Sequence, residues 1–281
     1  MENNSVMVPS VGFGSWCIGD DVRKRNSEIE VMQYGFHHFG MKLFDTAEMY
    51  GDGRSEQVIG EFLQSVPREN VFVVDKILPK HAVQNRYEEC CIRSLERLKT
   101  SYIDLYLLHW RGNVELQEMV DEMEGLVEKG LIRYWGVSNF DVRDMEELFC
   151  CQRGNHCFAN QVLYNLSSRG VEYDLIPWCV ERGVMVMAYS PLGNSAEERN
   201  RMAVHPVVKQ LASDKRVSAE ALLLKFVTRT EKVTAVFKTS SVAHLRDNMS
   251  GMKDIEFSEG DMIRLNAAFP PPEKKMPLEK I

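Results

Sequence analysis

The sequence predicts a (β/α)8 TIM barrel formed by a single domain over residues 1–281, and three observations carry that expectation. Short β-rich runs alternate with longer amphipathic stretches eight times along the chain. Strands that alternate with helices pair in parallel through right-handed crossovers. Runs such as VFVVDK (71–76) are nearly continuous in apolar residues, as suits strands buried on both faces. Eight such units without a break in composition fit one closed barrel of ~250 residues better than an open, doubly wound sheet.

The units follow in order. Val11–Ile18 reads as a strand and Ser27–Phe39 as its helix; Lys42–Asp45 is followed by a helix at Ser55–Gln64. Val71–Lys76 leads to a helix from about Ala82 to Lys99, Ile103–His109 to Glu115–Lys129, and Ile132–Ser138 to Val142–Cys150. The last three pairs are Phe158–Leu163 with Glu172–Arg182, Val184–Tyr189 with Ala219–Thr228, and Val233–Lys238 with Val242–Met249. Two additions, near His205–Ser213 within the seventh crossover and at Glu259–Ala268 after the eighth unit, read as helices packed outside the barrel. Pro270–Pro272 and the tail to Ile281 form a covering loop or a frayed end.

Composition excludes whole classes of function. Hydrophobic residues at 44% and charged residues at 27% are the mix of a soluble globular protein. A net charge of −7 argues against a nucleic-acid partner, which favours basic domains. No apolar run approaches the roughly 18 residues of a membrane span, and Met1–Val8 is too polar for a signal peptide, so the expectation is a cytoplasmic protein with no membrane partner. The seven cysteines (17, 90, 91, 150, 151, 157, 179) show no Cys-x-x-Cys spacing and read as free, buried thiols. Cys157 beside His156 has no second close pair to complete four ligands, so no metal site is expected.

Chemistry in a barrel belongs at the C-terminal ends of the strands. Asp45 ends the second strand, with Tyr50 five positions on; Lys76 ends the third and His109 the fourth. Taken singly, Asp45 would cap a turn, Tyr50 would be a loop aromatic, Lys76 would reach solvent and His109 would sit in the core. Together on one face they make a carbonyl-reducing set. Tyrosine, with a reference pKa near 10, is a poor acid, and a close ammonium lowers that by ~1–3 units. Lys76 is placed to do so, Asp45 to hold Lys76 charged, and His109 to orient the carbonyl oxygen. Trp16 and Trp110 join Tyr50 and His109 as walls of the substrate pocket, and short covering loops at Trp110–Val114, Gly193–His205 and after Phe269 suggest an open site for small carbonyls.

With this tetrad, the stretches Gly14-Ser15-Trp16, SLERLKTSYIDLYLLHW (94–110), GLIRYWGVSNF (130–140), NQVLYN (160–165) and AYSPLG (188–193) make the chain resemble the aldo-keto reductase family over almost its whole length. The stretch 160–179 is most similar to bacterial methylglyoxal-reductase-like members. The resemblance implies an NADP(H)-dependent enzyme that reduces small aldehydes or ketones, acting as a monomer or weak oligomer. It implies that Ser138, Asn139 and Gln161 hold the nicotinamide carboxamide and Tyr189 stacks on the ring, with Ser15, Trp16 and Asp45 also lining the nucleotide site. Ser190, Leu192 and Gly193 would follow the pyrophosphate, and Lys238, Thr239, Ser240, His244 and Asn248 the adenosine end. Two departures stand out. His244 replaces an arginine of many members, and only Ser5–Val8 precede the first strand where a floor hairpin usually lies. A nucleotide-binding redox sensor of the same fold, or an NAD-dependent sugar or alcohol dehydrogenase, would carry the same tetrad. Neither GFGSWC (12–17), which lacks a third glycine, nor GDGR (51–54), which lacks a following P-loop lysine, is a phosphate loop; the latter reads as a turn and cap.

Overall fold

The computed structural model describes residues 8–83 and 86–280. Eight parallel strands close in sequence order into one barrel. They are β1 (Val11–Gly14), β2 (Leu43–Asp45), β3 (Phe72–Ile77), β4 (Ile103–Leu108), β5 (Ile132–Ser138), β6 (Ala159–Leu163), β7 (Met185–Tyr189) and β8 (Val233–Phe237). The crossover helices are α1 (Arg25–Phe39), α2 (Arg54–Leu63), α3 (Tyr87–Leu98), α4 (Leu116–Glu128), α5 (Val142–Cys150) and α6 (Leu175–Glu181). The seventh crossover carries α7 (Ala196–Val204), α8 (Pro206–Lys215) and α9 (Ala219–Val227), and α10 (Val242–Met249) and α11 (Glu259–Ala268) complete the chain. The predicted barrel is therefore the observed one.

Side chains on a strand alternate between faces, and this decides what fills the barrel. Leu43, Val74, Leu105, Leu107, Ala159 and Met187 belong to one small apolar cluster. Two residues further along β2, β3 and β6 come Asp45, Lys76 and Gln161, all buried. The barrel thus carries a charged layer directly above an apolar one, at the C-terminal ends of its strands. The larger apolar cluster lies between barrel and helices, where Phe13, Phe44, Phe62, Tyr106, Trp135 and Phe226 pack.

Three boundaries shift by three residues or more and one connection gains a helix, each for a local reason. The first strand stops at Gly14, because the chain curls so that Ile18 N–H donates to Ser15 O (2.9 Å) and Cys17 turns left-handed (φ 61°). The third helix begins at Tyr87, after a turn in which His81 N–H donates to Leu78 O (2.9 Å), and residues 84–85 lie outside the described residues. The sixth begins at Leu175 because Pro177 is tolerated only in a first turn. The segment after Gly193, expected to be a short loop, holds α7; its sequence AEERNRMAV has too little apolar periodicity to announce a helix, but Ser195 caps it by accepting from Glu198 N–H (3.1 Å). The expected floor-hairpin truncation falls on residues 1–7, outside the described residues, apart from Val8.

All seven cysteines are free, as expected, but they are not all buried: Cys17 and Cys150 are exposed. No helix among the described residues is long and apolar enough to cross a membrane.

Candidate active site

The four predicted residues converge at the C-terminal end of the barrel. Lys76, fully buried on β3, donates from Nζ to both Asp45 carboxylate oxygens (2.9 and 2.8 Å) and to Thr46 O (2.7 Å). The same ammonium lies 3.3 Å from the Tyr50 hydroxyl. Tyr50 reaches it from the tight turn that follows β2 and leads into α2. Gly53, at φ 87°, makes that entry; a Cβ there would stand 2.5 Å from Arg97 Cδ. The GDGR stretch is thus a turn before a helix, as read. His109 follows β4 directly, its N–H donating to Ile77 O (2.9 Å), and its ring meets the Tyr50 ring edge-on at 5.8 Å.

Burial and charge set the protonation states. Burial would drive the Lys76 ammonium down, but the Asp45 carboxylate and Tyr50 more than offset it, so its pKa is raised and Lys76 stays charged. For Tyr50 the sign runs against the sequence expectation. Burial raises the phenol and outweighs the lowering by Lys76, so the net shift is upward. Tyr50 therefore holds its proton at neutral pH and can release it only to a strong base such as a developing alkoxide. The ammonium limits how weak an acid it becomes.

His109 is brought down to about 3, first by burial and then by Lys76. Its imidazole is therefore neutral near neutral pH, and its Nδ1 is buried with no protein partner among the described residues. Unfolded histidine takes up a proton below ~6.5 while the folded ring resists until about 3, so this residue's contribution to stability falls as pH drops through that window and is flat above it. We expect the His109 ring signals in a 15N-resolved NMR titration to stay those of a neutral tautomer from pH 8 to 5. A midpoint near the ordinary histidine value would show that burial does not control the ring.

The remaining predicted residues form a connected rim. Gln161 Nε2 donates to Asp45 Oδ1 (2.7 Å), Ser138 Oγ donates to Gln161 O (2.8 Å), and Asn139 Nδ2 donates to His109 O (3.2 Å). Tyr189 hydroxyl donates to Asn139 Oδ1 (2.9 Å), so β5, β6 and β7 are tied to the tetrad by side-chain bonds. Trp16 stands edge-on to Tyr50 at 4.9 Å and is 54% exposed; Trp110 packs beside His109 at 5.1 Å and is 37% exposed. Both stand partly exposed beside the tetrad rather than buried in the core. Ser15 is fully buried beside them; its Oγ donates to Asp45 O (2.8 Å) and accepts from Ser55 Oγ (2.6 Å), so it supports the β2 backbone. The Leu192 side chain is likewise in the core, leaving only its main chain for contact.

Beyond β8, Lys238 and Ser240 are exposed, Thr239 Oγ1 bonds to Ser241 within the turn, Ser241 caps α10, and His244 is exposed in the first turn of α10 while Asn248 is buried on that helix. Lys238 also lies close enough to Cys17, after β1, to act on its thiol, so the two ends of the chain's strand order meet here.

A model of the aldo/keto reductase family matches residues 10–269. The chain belongs to this family. It is 42% identical over 279 residues to methylglyoxal reductase YeaE of Escherichia coli K12, covering 99% of this chain and 97% of that protein. An aldo/keto reductase from Klebsiella pneumoniae, crystallised with NADP and acetate, superposes with a TM-score of 0.93 at 41% identity, over 98% of this chain and 96% of that one. A weaker match, 29% identical over 66% of this chain and 64% of that protein, is to an NADH-specific methylglyoxal reductase of E. coli. This aldo/keto reductase also contains site groups that its sequence did not announce. Thr46 holds Lys76 through a main-chain carbonyl, which no residue pattern reports, and Ser55 reaches the site through Ser15 and through the Thr46 hydroxyl.

Proposed function

We propose that this aldo/keto reductase reduces small aldehydes and ketones, 2-oxoaldehydes such as methylglyoxal and aromatic aldehydes among them, with NADP(H) and with Tyr50 as proton donor. The observation that carries the reading is the buried Asp45–Lys76 pair reaching the Tyr50 hydroxyl beside a neutral His109. The nucleotide, when bound, supplies hydride to the carbonyl carbon. The protein's part is the oxygen. The neutral His109 ring beside Tyr50 orients the carbonyl, and Tyr50 gives up its proton as negative charge develops there, while Lys76 stabilises the phenolate left behind.

The residues fit such a cofactor. Ser138, Asn139 and Gln161 line the rim beside the tetrad and would hold the carboxamide, with Tyr189 against the ring. The main chain at Ser190 (φ 51°) and Gly193 (φ 102°) turns left-handed where a pyrophosphate would pass. At the far end an exposed ammonium, Lys238, precedes the N-terminus of α10, a pairing that favours a phosphate. The similarity to the NADP-bound Klebsiella enzyme supports the same choice.

An NADPH-oxidation screen over methylglyoxal, 4-nitrobenzaldehyde, aldoses and ketosteroids tests the activity. We expect turnover of the small aldehydes, and failure of every carbonyl with either nucleotide would leave a nucleotide sensor as the better description. Cofactor choice gives a separate prediction. NADPH should bind more tightly than NADH, and Lys238→Ala should remove most of the difference, since a charge-assisted bond to phosphate contributes roughly 1.5–3 kcal/mol. His244→Arg should widen it, because a guanidinium grips two phosphate oxygens and is always charged. Quenching of tryptophan fluorescence measures both affinities; equal values in the wild type would move the protein to NAD-dependent chemistry.

A further inference from the structure

We propose that Glu48, His81 and Cys90 form a binding site for one divalent ion of the zinc class. Glu48 lies in the loop after β2, His81 in the loop after β3 and Cys90 in the first turns of α3. Each offers one ligand atom, and the three atoms lie within 4.8 Å of one another. Carboxylate oxygen, imidazole nitrogen and thiolate sulfur are the donors zinc takes, and tetrahedral bonds of ~2.0–2.3 Å set them roughly 3.3–3.8 Å apart. Closing the trio onto an ion therefore needs movement of about an ångström, within reach of side-chain rotation in two loops.

The surroundings favour that occupant. Glu48 and His81 line a cleft of about 870 Å³ next to Trp110, which gives an ion its way in and leaves its fourth position to water. Glu48, only 8% exposed at its side chain, already accepts from Leu78 N–H (2.7 Å) and faces His81 Nδ1 at 3.0 Å. Cys90 Sγ accepts from Arg93 Nη2 at 3.2 Å, and Arg93 Nη1 pairs with Glu89 (2.9 Å). Burial pushes the Cys90 thiol up and Arg93 pulls it back; a coordinated ion would remove the proton outright. A doubly charged cation with one carboxylate and one thiolate is neutral, and Arg93 with Glu89 is neutral too, so the filled site buries no net charge. Binding releases the Cys90 proton, which makes affinity rise with pH.

The site touches the reaction through one segment. Glu48 N–H donates to Lys76 O (3.2 Å), and Tyr50 N–H donates to Ala47 O (3.0 Å). Drawing the Glu48 carboxylate toward an ion takes it from Leu78 N–H and shifts the turn that carries Tyr50. Zinc should therefore slow reduction, a consequence that rests on Tyr50 as proton donor, whereas binding itself does not.

The test uses the metal-free protein with Cys17, Cys150 and Cys151 changed to serine, so that exposed thiols do not compete. Titration with Co2+ in slightly alkaline buffer should give a thiolate-to-cobalt charge-transfer band saturating at one ion per chain. Cys90→Ser should abolish the band, and His81→Gln should weaken binding by roughly tenfold or more. Absence of the band at saturating cobalt, or a band that survives Cys90→Ser, overturns the site. If Cys90→Ser misfolds by circular dichroism, His81→Gln decides alone: unchanged cobalt affinity in it overturns the site. Turnover is read separately. Zinc that slows the parent but not the folded Cys90→Ser variant, reversibly with chelator, supports the link to Tyr50, and zinc that binds without slowing turnover overturns that link alone.

Discussion

Replacing Tyr50 with phenylalanine should lower kcat by ~10²–10⁴ while leaving nucleotide affinity and thermal stability nearly unchanged. The separation of effects follows from the contacts. The Tyr50 hydroxyl is one of four oxygens around the Lys76 ammonium, and Asp45 and Thr46 supply the other three, so its loss does not strand the charge. The ring keeps its edge contacts with Trp16 and His109, so the pocket wall persists. What disappears is the proton at the point where the carbonyl oxygen gains charge. Steady-state kinetics with a small aldehyde, beside fluorescence titration of NADPH, is the measurement. Wild-type turnover in the phenylalanine variant would transfer the donor's role elsewhere, whereas a parallel loss of nucleotide affinity would mean that the hydroxyl serves binding.

Much of the site was legible because barrel geometry turns chain position into place. Asp45, Lys76 and His109 sit at or just after strand ends, and strand ends of one barrel share a face. In the structure the period of two along each strand sets Lys76 inward, above Val74 in the apolar layer. The sign of the Tyr50 shift was not legible. It depends on how much burial the hydroxyl suffers against how near the ammonium comes, two distances that no one-dimensional pattern contains. Nor was the direction of the Ser15 hydroxyl legible: its motif places it beside the site, and the early end of β1 turns that hydroxyl to Asp45 O and Ser55. The Glu48–His81–Cys90 trio was invisible, since its donors come from two loops and a helix and match no close metal-ligand spacing. The helix α7 was missed because a polar helix held by Ser195 leaves no apolar stripe.

Removing the Lys76 charge should be the most damaging change for catalysis and stability together. Lys76→Met takes the ammonium off Tyr50 and leaves Asp45 in the barrel with Gln161 as the remaining side-chain donor to its carboxylate among the described residues. Stranding one member of a buried pair costs about 3–5 kcal/mol, so the variant should unfold at markedly lower urea, with kcat reduced by at least ~10² in the fraction that stays folded. On chemical grounds alone Asp45→Asn looks milder, since the ammonium survives it. The structure argues otherwise. Lys76 is 0% exposed, burial pushes its pKa down, and the Asp45 carboxylate is the main influence raising it. An asparagine offers one neutral acceptor in place of two charged oxygens, so Lys76 should lose its proton more readily, and the acid set by Tyr50 and Lys76 should shift its titration in the pH profile of kcat. The double variant Asp45→Asn, Lys76→Met leaves neither charge stranded. Its stability loss should therefore fall well short of the sum of the single losses, and its turnover should be hardly worse than that of Lys76→Met, because groups acting as one unit are non-additive. Urea unfolding and kcat for the four proteins of the cycle measure the coupling. Strictly additive losses in both quantities would mean that Asp45 and Lys76 act independently, and that the proton path to Tyr50 does not pass through their pair.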